Sequence, residues 1–454
     1  MSRLLTGFRE ITINPPLGIG ISGYYVPRFA KGNLDDIKAS VFTLSLDGET
    51  VAIISVDACM LDTALVCRYC ATIEQETGLS RNKIFLTNTH THTGPLFTQT
   101  DMFDAPLEPI NAYADFVEKR LCEAVKAALD DMVPTKMGYA VANAPERVAY
   151  IRRYRMKDGS TMTCPPINDP DIVGPIGELD KRINVLRFDR EGMRPLILVN
   201  FGLHADTVNG EMLSADWPYW LKKTLDSALD GADCMFICGA QGDAGSTNVH
   251  PDSADMNDTE ISFDNEMKSP GMARFVGRAI AGSVLQVYDK VYYTPVDKLE
   301  LITRTVPVKL NVPEPHEIPL AREYKRLHES GRDHEIPYTA MELTTVVAEA
   351  LRICKYENSP EFLDLSMLGL RIGPVALIGI PGEPFTQVGV EIKRDQNFAL
   401  VLPCGLTNGY EGYFPTKEAY DEGGYEARAS CYKSGVAETI IDGAKALLSE
   451  LNNE

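Results

Sequence analysis

The chain has 454 residues, of which 44% are hydrophobic and 24% are charged, a composition typical of a globular protein with a sizeable core. Its formal net charge of -20 argues against nucleic-acid binding and against docking on anionic lipid. The sequence has no run near the roughly 20 apolar residues of a membrane-spanning helix, and its N-terminus lacks the apolar segment of a signal peptide. These features predict a cytoplasmic location without stable membrane insertion, and they leave the oligomeric state open.

Strand and helix patterns alternate in the first half of the chain. Asp47 and Gly48 separate two alternating apolar runs, which predicts a β-hairpin over 41–56. A short apolar run at 84–86 predicts a buried strand. The other elements predicted for this half are helices over 63–77 and 111–132, a strand over 135–142, and a loop over 156–182.

The second half continues the alternation. Near-continuous apolar stretches at 195–201 and 234–238 predict strands that are buried on both faces. A polar cap and a proline at 214–218 predict the start of a helix, and the acidic stretch 251–268 predicts a surface loop. The remaining predicted elements are helices over 272–290, 318–357 (broken near Gly331) and 436–451, and strands over 299–311, 363–380 (a hairpin) and 398–402.

This order of elements predicts an α/β fold with a mixed β-sheet core flanked by helices. The absence of repeats and of a linker-like segment predicts one domain over 1–454, with a possible sub-lobe near 299–362. The ten cysteines are scattered, and the CxxC pair of Cys67 and Cys70 has no second pair to complete a structural zinc site. We therefore expect buried, reduced thiols rather than disulfides.

Three candidate metal ligands each follow an apolar strand. His90 and His92 come directly after the strand at 84–86, and an i, i+2 pair on extended backbone faces one side. His204 follows the strand at 195–201, and Glu383 follows the hairpin. Functional groups in open α/β sheets gather outside the carboxyl ends of strands, so these side chains are expected to share a site there.

Two imidazoles and one carboxylate with an open coordination position suit catalytic zinc. The same ligands could hold iron, so the residue types alone do not select the metal. The alternative is that one or two of these side chains are hydrogen-bonded core residues. An H-x-H pair alone is a weak indication of a metal site, and the presence of His204 and Glu383 at similar strand ends strengthens it.

The segment THTHTGP at 89–95 resembles the T-H-T-H-S-G-P motif of the neutral/alkaline non-lysosomal ceramidase family. Further matches follow in the family's order. They are His204 after a core strand, GDAG at 242–245, PGEPFT at 381–386, and GLTNGYEGYFPTKEAY at 405–420. The resemblance runs from about Gly7 to the C-terminus and covers the family's catalytic domain.

The resemblance implies a zinc site with one ion per chain and a set of residues around it. The implied zinc ligands are His90, His204, Glu383 and Tyr413. The implied catalytic or substrate-facing residues are His92, Tyr425 and an arginine that is either Arg152 or Arg153. Tyr410 and Tyr420 are interpreted as packing residues.

The activity implied by the resemblance is zinc-dependent hydrolysis of the amide bond of an N-acyl substrate, ceramide-like or smaller and more polar. The alternatives are a metal-dependent esterase or deacetylase with a polar substrate, or a non-catalytic binding protein that keeps the fold. The chain departs from the family pattern in three ways. The family's G-D-V-S-P-N segment reads GDAGSTN, so its serine is replaced by Gly245 or displaced to Ser246. We also expect no immunoglobulin-like C-terminal domain, and a signal peptide like that of secreted ceramidases is not seen.

Overall fold

Two β-sheets pack face to face in the computed structural model, which describes residues 3–453. The large sheet is mixed and has nine strands. Eight of them follow one another in the order Asp233–Cys238, Leu196–Phe201, Arg182–Arg190, Val133–Asn143, Leu5–Thr12, Lys38–Leu46, Glu49–Val56 and Ile84–Asn88, and Tyr292–Thr294 pairs with Val133–Asn143. The small sheet consists of Leu299–Lys309, Phe362–Ile372, Val375–Gly379 and Leu400–Cys404.

Helices cover the outer faces of both sheets. Side chains alternate along each strand, so Phe42 and Leu44 enter the core between the sheets, whereas Ala39 and Val41 pack under helices. The helices are Thr63–Thr77, Leu107–Asp130, Asp216–Ala228, Pro270–Tyr288, Ile318–Glu329, Ala340–Tyr356, Thr386–Ile392, Lys417–Glu422, Tyr425–Ala429 and Val436–Asn452, with short 3-10 turns at Arg81–Lys83 and Asp333–Glu335.

The remaining strands are short and form four pairs and one three-stranded sheet. They are Gly32–Asn33 with Met212–Leu213, Tyr150–Ile151 with Ala244–Gly245, Arg153–Met156 with Thr161–Thr163 and Ile172–Pro175, Glu260–Ile261 with Met267–Lys268, and Glu383–Pro384 with Tyr413–Phe414. The last pair is parallel and aligns Glu383 with Tyr413.

The twist of the large sheet brings its two edges together. Adjacent strands rotate by roughly 20 to 25°, so the seven steps from one edge to the other amount to roughly 140 to 175°. The two sides of the sheet meet where Ser55, on the strand next to the edge strand Ile84–Asn88, donates from its hydroxyl to the carbonyl of Phe236, on the edge strand Asp233–Cys238, over 2.7 Å. Strands that run in opposite directions along the hydrogen-bonding path therefore direct their carboxyl ends to the same place, which is how Ile84–Asn88 and Leu196–Phe201 both deliver a histidine there.

The predicted fold class is confirmed: the molecule is α/β, with a large mixed sheet flanked by helices. Two loop predictions are wrong for part of their length. The stretch 156–182 contributes strands to a small three-stranded sheet, and 251–268 ends in a buried strand that contains Lys268. Both stretches are polar, and contacts with distant segments rather than local apolar patterning give them their structure.

The cysteines were predicted to be reduced and buried, and the structure agrees except for the burial of two of them. All ten cysteines are free thiols; Cys67 is exposed and Cys354 is half-buried, while the other eight are buried. Within residues 3–453, none of the helices combines the length and the apolar character that crossing a bilayer requires.

Candidate metal centre

The three candidate ligands converge from separate elements. His90 lies two residues beyond the strand Ile84–Asn88 and adopts a left-handed backbone conformation with φ 63°. Such a conformation costs a non-glycine residue of order 1 to 3 kcal/mol and is concentrated at functional sites. His204 lies beyond Leu196–Phe201, and Glu383 opens the short strand that pairs with Tyr413–Phe414.

The imidazoles of His90 and His204 face the same carboxylate oxygen. The Nε2 atom of each lies 3.1 Å from Glu383 Oε2. His90 Nδ1 is 2.7 Å from the Cys59 carbonyl, and His204 Nδ1 is 2.9 Å from the Gln241 carbonyl, so both Nδ1 atoms are placed to donate. All three candidate ligands are buried.

This arrangement fits a bound cation. With the protons on Nδ1, both Nε2 lone pairs face a carboxylate oxygen, and three electron-rich atoms then converge without a donor among them. Nε2 of His204 makes no hydrogen bond with any residue from 3 to 453. The three ligand atoms lie within 4.8 Å of one another. Two neutral imidazoles and a carboxylate are a donor set that catalytic zinc uses.

The pKa values reflect the same crowding. Burial lowers the pKa of His90, but the adjacent Glu383 carboxylate outweighs burial and raises that pKa well above its usual range. Burial and the charge of Arg152 lower the pKa of His204 to about 4. Burial raises the pKa of Glu383, but His90 and His204 outweigh it, so the pKa falls well below its usual range. In the protein alone, His90 carries a proton, which lies in the position between the three ligand atoms where a metal would bind.

His92 lies beside the candidate ligands. Its Nε2 atom is 3.4 Å from His90 Nε2, and its Nδ1 atom is 3.5 Å from Asp206 Oδ2. Burial and the neighbouring charge of His90 lower the pKa of His92 well below its usual range. The ring is therefore neutral at neutral pH and able to accept a proton.

Tyr413, Tyr425 and Arg152 also lie at the site. Arg152 donates from Nη2 to the Tyr413 hydroxyl over 3.1 Å, and the rings of Tyr413 and Tyr425 are 5.6 Å apart. Burial and the nearby Glu383 raise the pKa of Tyr413 well above its usual range, so in the protein alone the phenol keeps its proton.

Arg153 is not brought to the ligands. Its guanidinium contacts the Glu422 carboxylate at 3.1 Å and the Gly423 carbonyl at 2.9 Å. Of the two arginines left open by the sequence, Arg152 is the one at the site. The sequence also left two positions open for the family's serine, Gly245 and Ser246. Gly245 is the one beside Arg152, since a Cβ on it would lie 3.7 Å from Arg152 and from Glu266, whereas Ser246 lines a separate surface cavity.

Two residues at the site were not expected from the sequence. Tyr410, interpreted above as a packing residue, donates from its hydroxyl to Glu383 Oε1 over 2.9 Å. Glu426 is fully buried and accepts from Arg152 Nε over 2.7 Å and from the Thr163 hydroxyl over 2.8 Å. Tyr420, in contrast, bonds to Ser430 and remains a packing residue. The only signal for Tyr410 in the sequence is its spacing of three residues from Tyr413.

A charged cluster behind His92 was also missed. Its members, all buried, are Tyr24, Asp206, Asp264, Glu266 and Lys268. We call this group the Lys268 cluster. Asp206 is two residues from His204, but nothing in the local sequence shows that the distant acidic stretch 251–268 folds against it.

Two cavities meet the site. The larger has a volume of about 360 Å3 and is bordered near the candidate ligands by Tyr410, Tyr413 and Tyr425. The smaller has a volume of about 60 Å3 and lies between His92 and the carboxylates of the Lys268 cluster. Tyr425 lines both cavities.

Comparisons with known proteins identify the architecture. No protein-family model matches the sequence, and curated proteins yield no match either. Among solved structures, the chain is similar to the neutral ceramidase from Pseudomonas aeruginosa, with a TM-score of 0.71 and 18% identity over 100% of this chain and 76% of that chain. It is also similar to a ceramidase complexed with C2, with a TM-score of 0.72 and 18% identity over 99% of this chain and 76% of that chain. The protein therefore has the fold of the neutral ceramidases.

Proposed function

We propose that this protein is a zinc-dependent hydrolase that cleaves the amide bond of an N-acyl substrate. The observation that carries the proposal is the convergence of His90 Nε2 and His204 Nε2 on Glu383 Oε2, at 3.1 Å each. The fold shared with ceramidases supports amide hydrolysis as the reaction. We propose one zinc ion per chain, with residues 1–454 acting as one catalytic domain.

His90, His204 and Glu383 would hold the zinc, and the position of Tyr413 beside Glu383 makes its hydroxyl the candidate fourth ligand. Zinc held by such a set activates water as a nucleophile and polarises a carbonyl group. The Cys59 and Gln241 carbonyls fix both imidazoles with Nε2 towards the metal position. The Tyr410 hydroxyl holds Glu383 Oε1, which leaves Oε2 for the metal.

We assign the proton transfer to His92. Its ring is neutral at neutral pH because burial and His90 lower its pKa. A neutral imidazole can take a proton from the attacking water and return it to the departing amide nitrogen, and such proton transfer contributes about 10²- to 10⁴-fold to a rate.

We assign to Arg152 and Tyr425 the stabilisation of the negative charge that develops on the carbonyl oxygen. Arg152 is held by Glu426 through Nε and contacts the Tyr413 hydroxyl through Nη2. Preorganised donors of this kind each contribute about 3 to 4 kcal/mol to the stabilisation of a transition state. Tyr425 lines both cavities, so its side chain borders substrate that lies in either one.

The larger cavity is the candidate binding site for most of the substrate. Its volume of about 360 Å3 lies within the range of small-molecule sites. Apolar side chains from Leu96, Phe97 and Leu351 line it together with charged ones from Asp101 and Lys355. This mixed lining favours an N-acyl compound with both polar and apolar parts.

The test combines metal analysis with a substrate screen. Purified protein is expected to contain about one zinc per chain, and zinc-loaded protein is expected to hydrolyse members of a series of N-acyl amides of increasing acyl length. The variant His90→Ala should lose zinc and activity while it keeps its far-UV circular dichroism. Turnover of esters but not of amides would identify an esterase, and no turnover of any amide or ester would favour a binding protein; both results contradict the proposal.

A further inference from the structure

The Lys268 cluster places three carboxylates around one ammonium group. Lys268 Nζ lies 2.9 Å from Asp206 Oδ2, 3.0 Å from Asp264 Oδ2 and 2.7 Å from Glu266 Oε2. The side chain of Lys268 is 0% exposed. Because Nζ already occupies the point between the carboxylates, the cluster is not a second metal site.

The carboxylates outnumber the positive charge that faces them. Lys268 is the cation in direct contact with the three acids. The buried guanidinium of Arg28 lies 3.9 Å above the Tyr24 ring and donates to the Ser22 and His92 carbonyls, and that of Arg152 is paired with Glu426, so three acids face two positive charges. Burial raises the pKa of Glu266 to about 7 despite the charge of Lys268. Buried acids without enough counter-charge are costly, so the wall formed by Asp206, Asp264 and Glu266, called here the acidic wall, favours a further cation.

The same three carboxylates line the smaller cavity, whereas Lys268 is not among the residues that line it. The cavity volume is about 60 Å3. Since a water molecule needs about 10 to 15 Å3 of such space, the cavity takes about four to six water-sized groups. It suits a short polar group and is too small for a long alkyl chain.

A second observation points into this cavity. His92, which lines it, is only 8% exposed, and its Nδ1 atom makes no hydrogen bond with any residue in the described part of the chain. That atom lies 3.5 Å from Asp206 Oδ2 without an acceptable bonding geometry. A ligand group placed here would lie between a candidate catalytic imidazole and the acidic wall.

We propose that the substrate carries a primary ammonium group a few bonds from its amide nitrogen, and that Asp206, Asp264 and Glu266 receive this group in the cavity beside His92. The proposal rests on the amide hydrolase function proposed above and names the class of its amine portion. An ammonium donates three hydrogen bonds and adds the charge that the wall lacks. The corresponding hydroxyl would supply the contact without the charge, and a methyl group would supply neither.

Three substrates test the proposal. They carry the same acyl group, the one hydrolysed fastest in the screen above, on 1,4-diaminobutane, 4-aminobutan-1-ol or pentylamine. Zinc-loaded protein is expected to show a kcat/KM at least tenfold higher for the ammonium substrate than for the methyl substrate, with the hydroxyl substrate between them. Equal values, a reversed order or no turnover of all three while other amides are cleaved would overturn the inference and leave the hydrolase proposal standing.

Variants assign the preference to the cluster. Asp264→Asn and Glu266→Gln should each raise KM for the ammonium substrate several-fold and lower the ratio of its kcat/KM to that of the methyl substrate. Glu260→Gln, at an exposed position of the same segment, is the matched control and should keep the preference. An unchanged preference in both variants would contradict the assignment.

A binding measurement covers the case in which the variants fail to fold. Butylammonium should inhibit the wild-type protein competitively and more strongly than 1-pentanol, and equal inhibition would overturn the inference. If no amide at all is hydrolysed by zinc-loaded protein, the failure is that of the proposed function itself.

Discussion

Backbone carbonyls decide which nitrogen of each candidate ligand is free. Cys59 and Gln241 bind the Nδ1 atoms of His90 and His204, so Nε2 of each ring faces Glu383. Partners of this kind fix the tautomer and the orientation of a metal-binding imidazole. Each carbonyl is distant in sequence from the histidine that it orients, by 31 and 37 residues. Sequence patterns could therefore predict the histidines but not the nitrogen that each presents.

Tyr410 tests the hydrogen bond to the carboxylate ligand. The variant Tyr410→Phe removes the donor to Glu383 Oε1 and should weaken zinc affinity by roughly 10- to 100-fold, because partners of metal ligands have effects of that size. Competition with a chromogenic chelator measures the affinity. Tyr420→Phe is the matched control, since its hydroxyl bonds to Ser430. Equal affinity in the wild type and in Tyr410→Phe would contradict this role.

The two adjacent arginines provide an internal comparison. Arg152→Lys should lower kcat by about 10²- to 10³-fold, because the single Nζ of lysine does not reproduce the separate Nε and Nη2 donors that Arg152 directs at Glu426 and at the Tyr413 hydroxyl. Arg153→Lys should change kcat much less, since Arg153 contacts Glu422 and Gly423 instead. Steady-state kinetics on the best amide substrate measures both. A larger loss in Arg153→Lys than in Arg152→Lys would reverse the assignment.

Elements with a local signal were predictable from the sequence. The hairpin of Lys38–Leu46 and Glu49–Val56 turns at Asp47 and Gly48, and the helix Thr63–Thr77 ends at Gly78 in the left-handed conformation. Strand ends also predicted where three candidate metal ligands lie. The burial at the end of the stretch 251–268 was not predictable, because Asp264 and Glu266 become buried only by surrounding Lys268 together with Asp206.

The loop that carries Gly23 sets the position of His92. Gly23 has φ 107°, and a Cβ there would lie 2.9 Å from His92 Cγ. Gly23→Ala should therefore displace the imidazole and lower kcat at least tenfold while zinc content stays the same. Gly18→Ala is the matched control, because Gly18 has φ 84° with open space around it. Gly18→Ala has the same kind of backbone strain as Gly23→Ala, but its Cβ does not collide with a neighbouring side chain.

Activity and metal content distinguish these two variants. Both should lose stability, since an L-residue is strained at positive φ, and urea unfolding measures that loss. Only Gly23→Ala should lose activity beyond what the unfolded fraction explains. Similar kcat values in both variants would show that His92 does not depend on this loop.

The whole molecule is organised by the coiling of the large sheet. Its two sides meet at Ser55, next to one edge strand, and at Phe236 on the other edge strand, and the small sheet covers the inner face. Separate chain segments therefore reach one end. Helix Ala340–Tyr356 crosses that end: its Met341 lines the smaller cavity and its Leu351 the larger. The sequence predicted the strands, but the convergence depends on twist accumulated over the whole sheet.

Buried carboxyl groups should make the stability of the molecule depend on pH. Burial raises the pKa of Asp216 from 3.8 to about 6, although Thr207 donates to it. Between about pH 4 and pH 6 the folded protein keeps a proton that the unfolded chain has lost. The free energy of unfolding should therefore fall as pH rises through this window, by up to about 3 kcal/mol from this group.

Urea unfolding at several pH values measures this dependence. Asp216→Asn should flatten the decline between pH 4 and pH 6, because the titrating group is removed. Asp36→Asn, at an exposed position, should leave the slope unchanged. An identical slope in the wild type and in Asp216→Asn would show that this carboxyl does not carry the effect.

Anomalous X-ray diffraction at the zinc absorption edge, from crystals of the zinc-loaded protein, tests the central claim most directly. The account predicts one strong peak about 2.0 to 2.2 Å from His90 Nε2, His204 Nε2 and a Glu383 oxygen, the usual zinc–ligand distances. A zinc-loaded crystal without a peak at these residues, or with its peak among Asp206, Asp264 and Glu266, would contradict it.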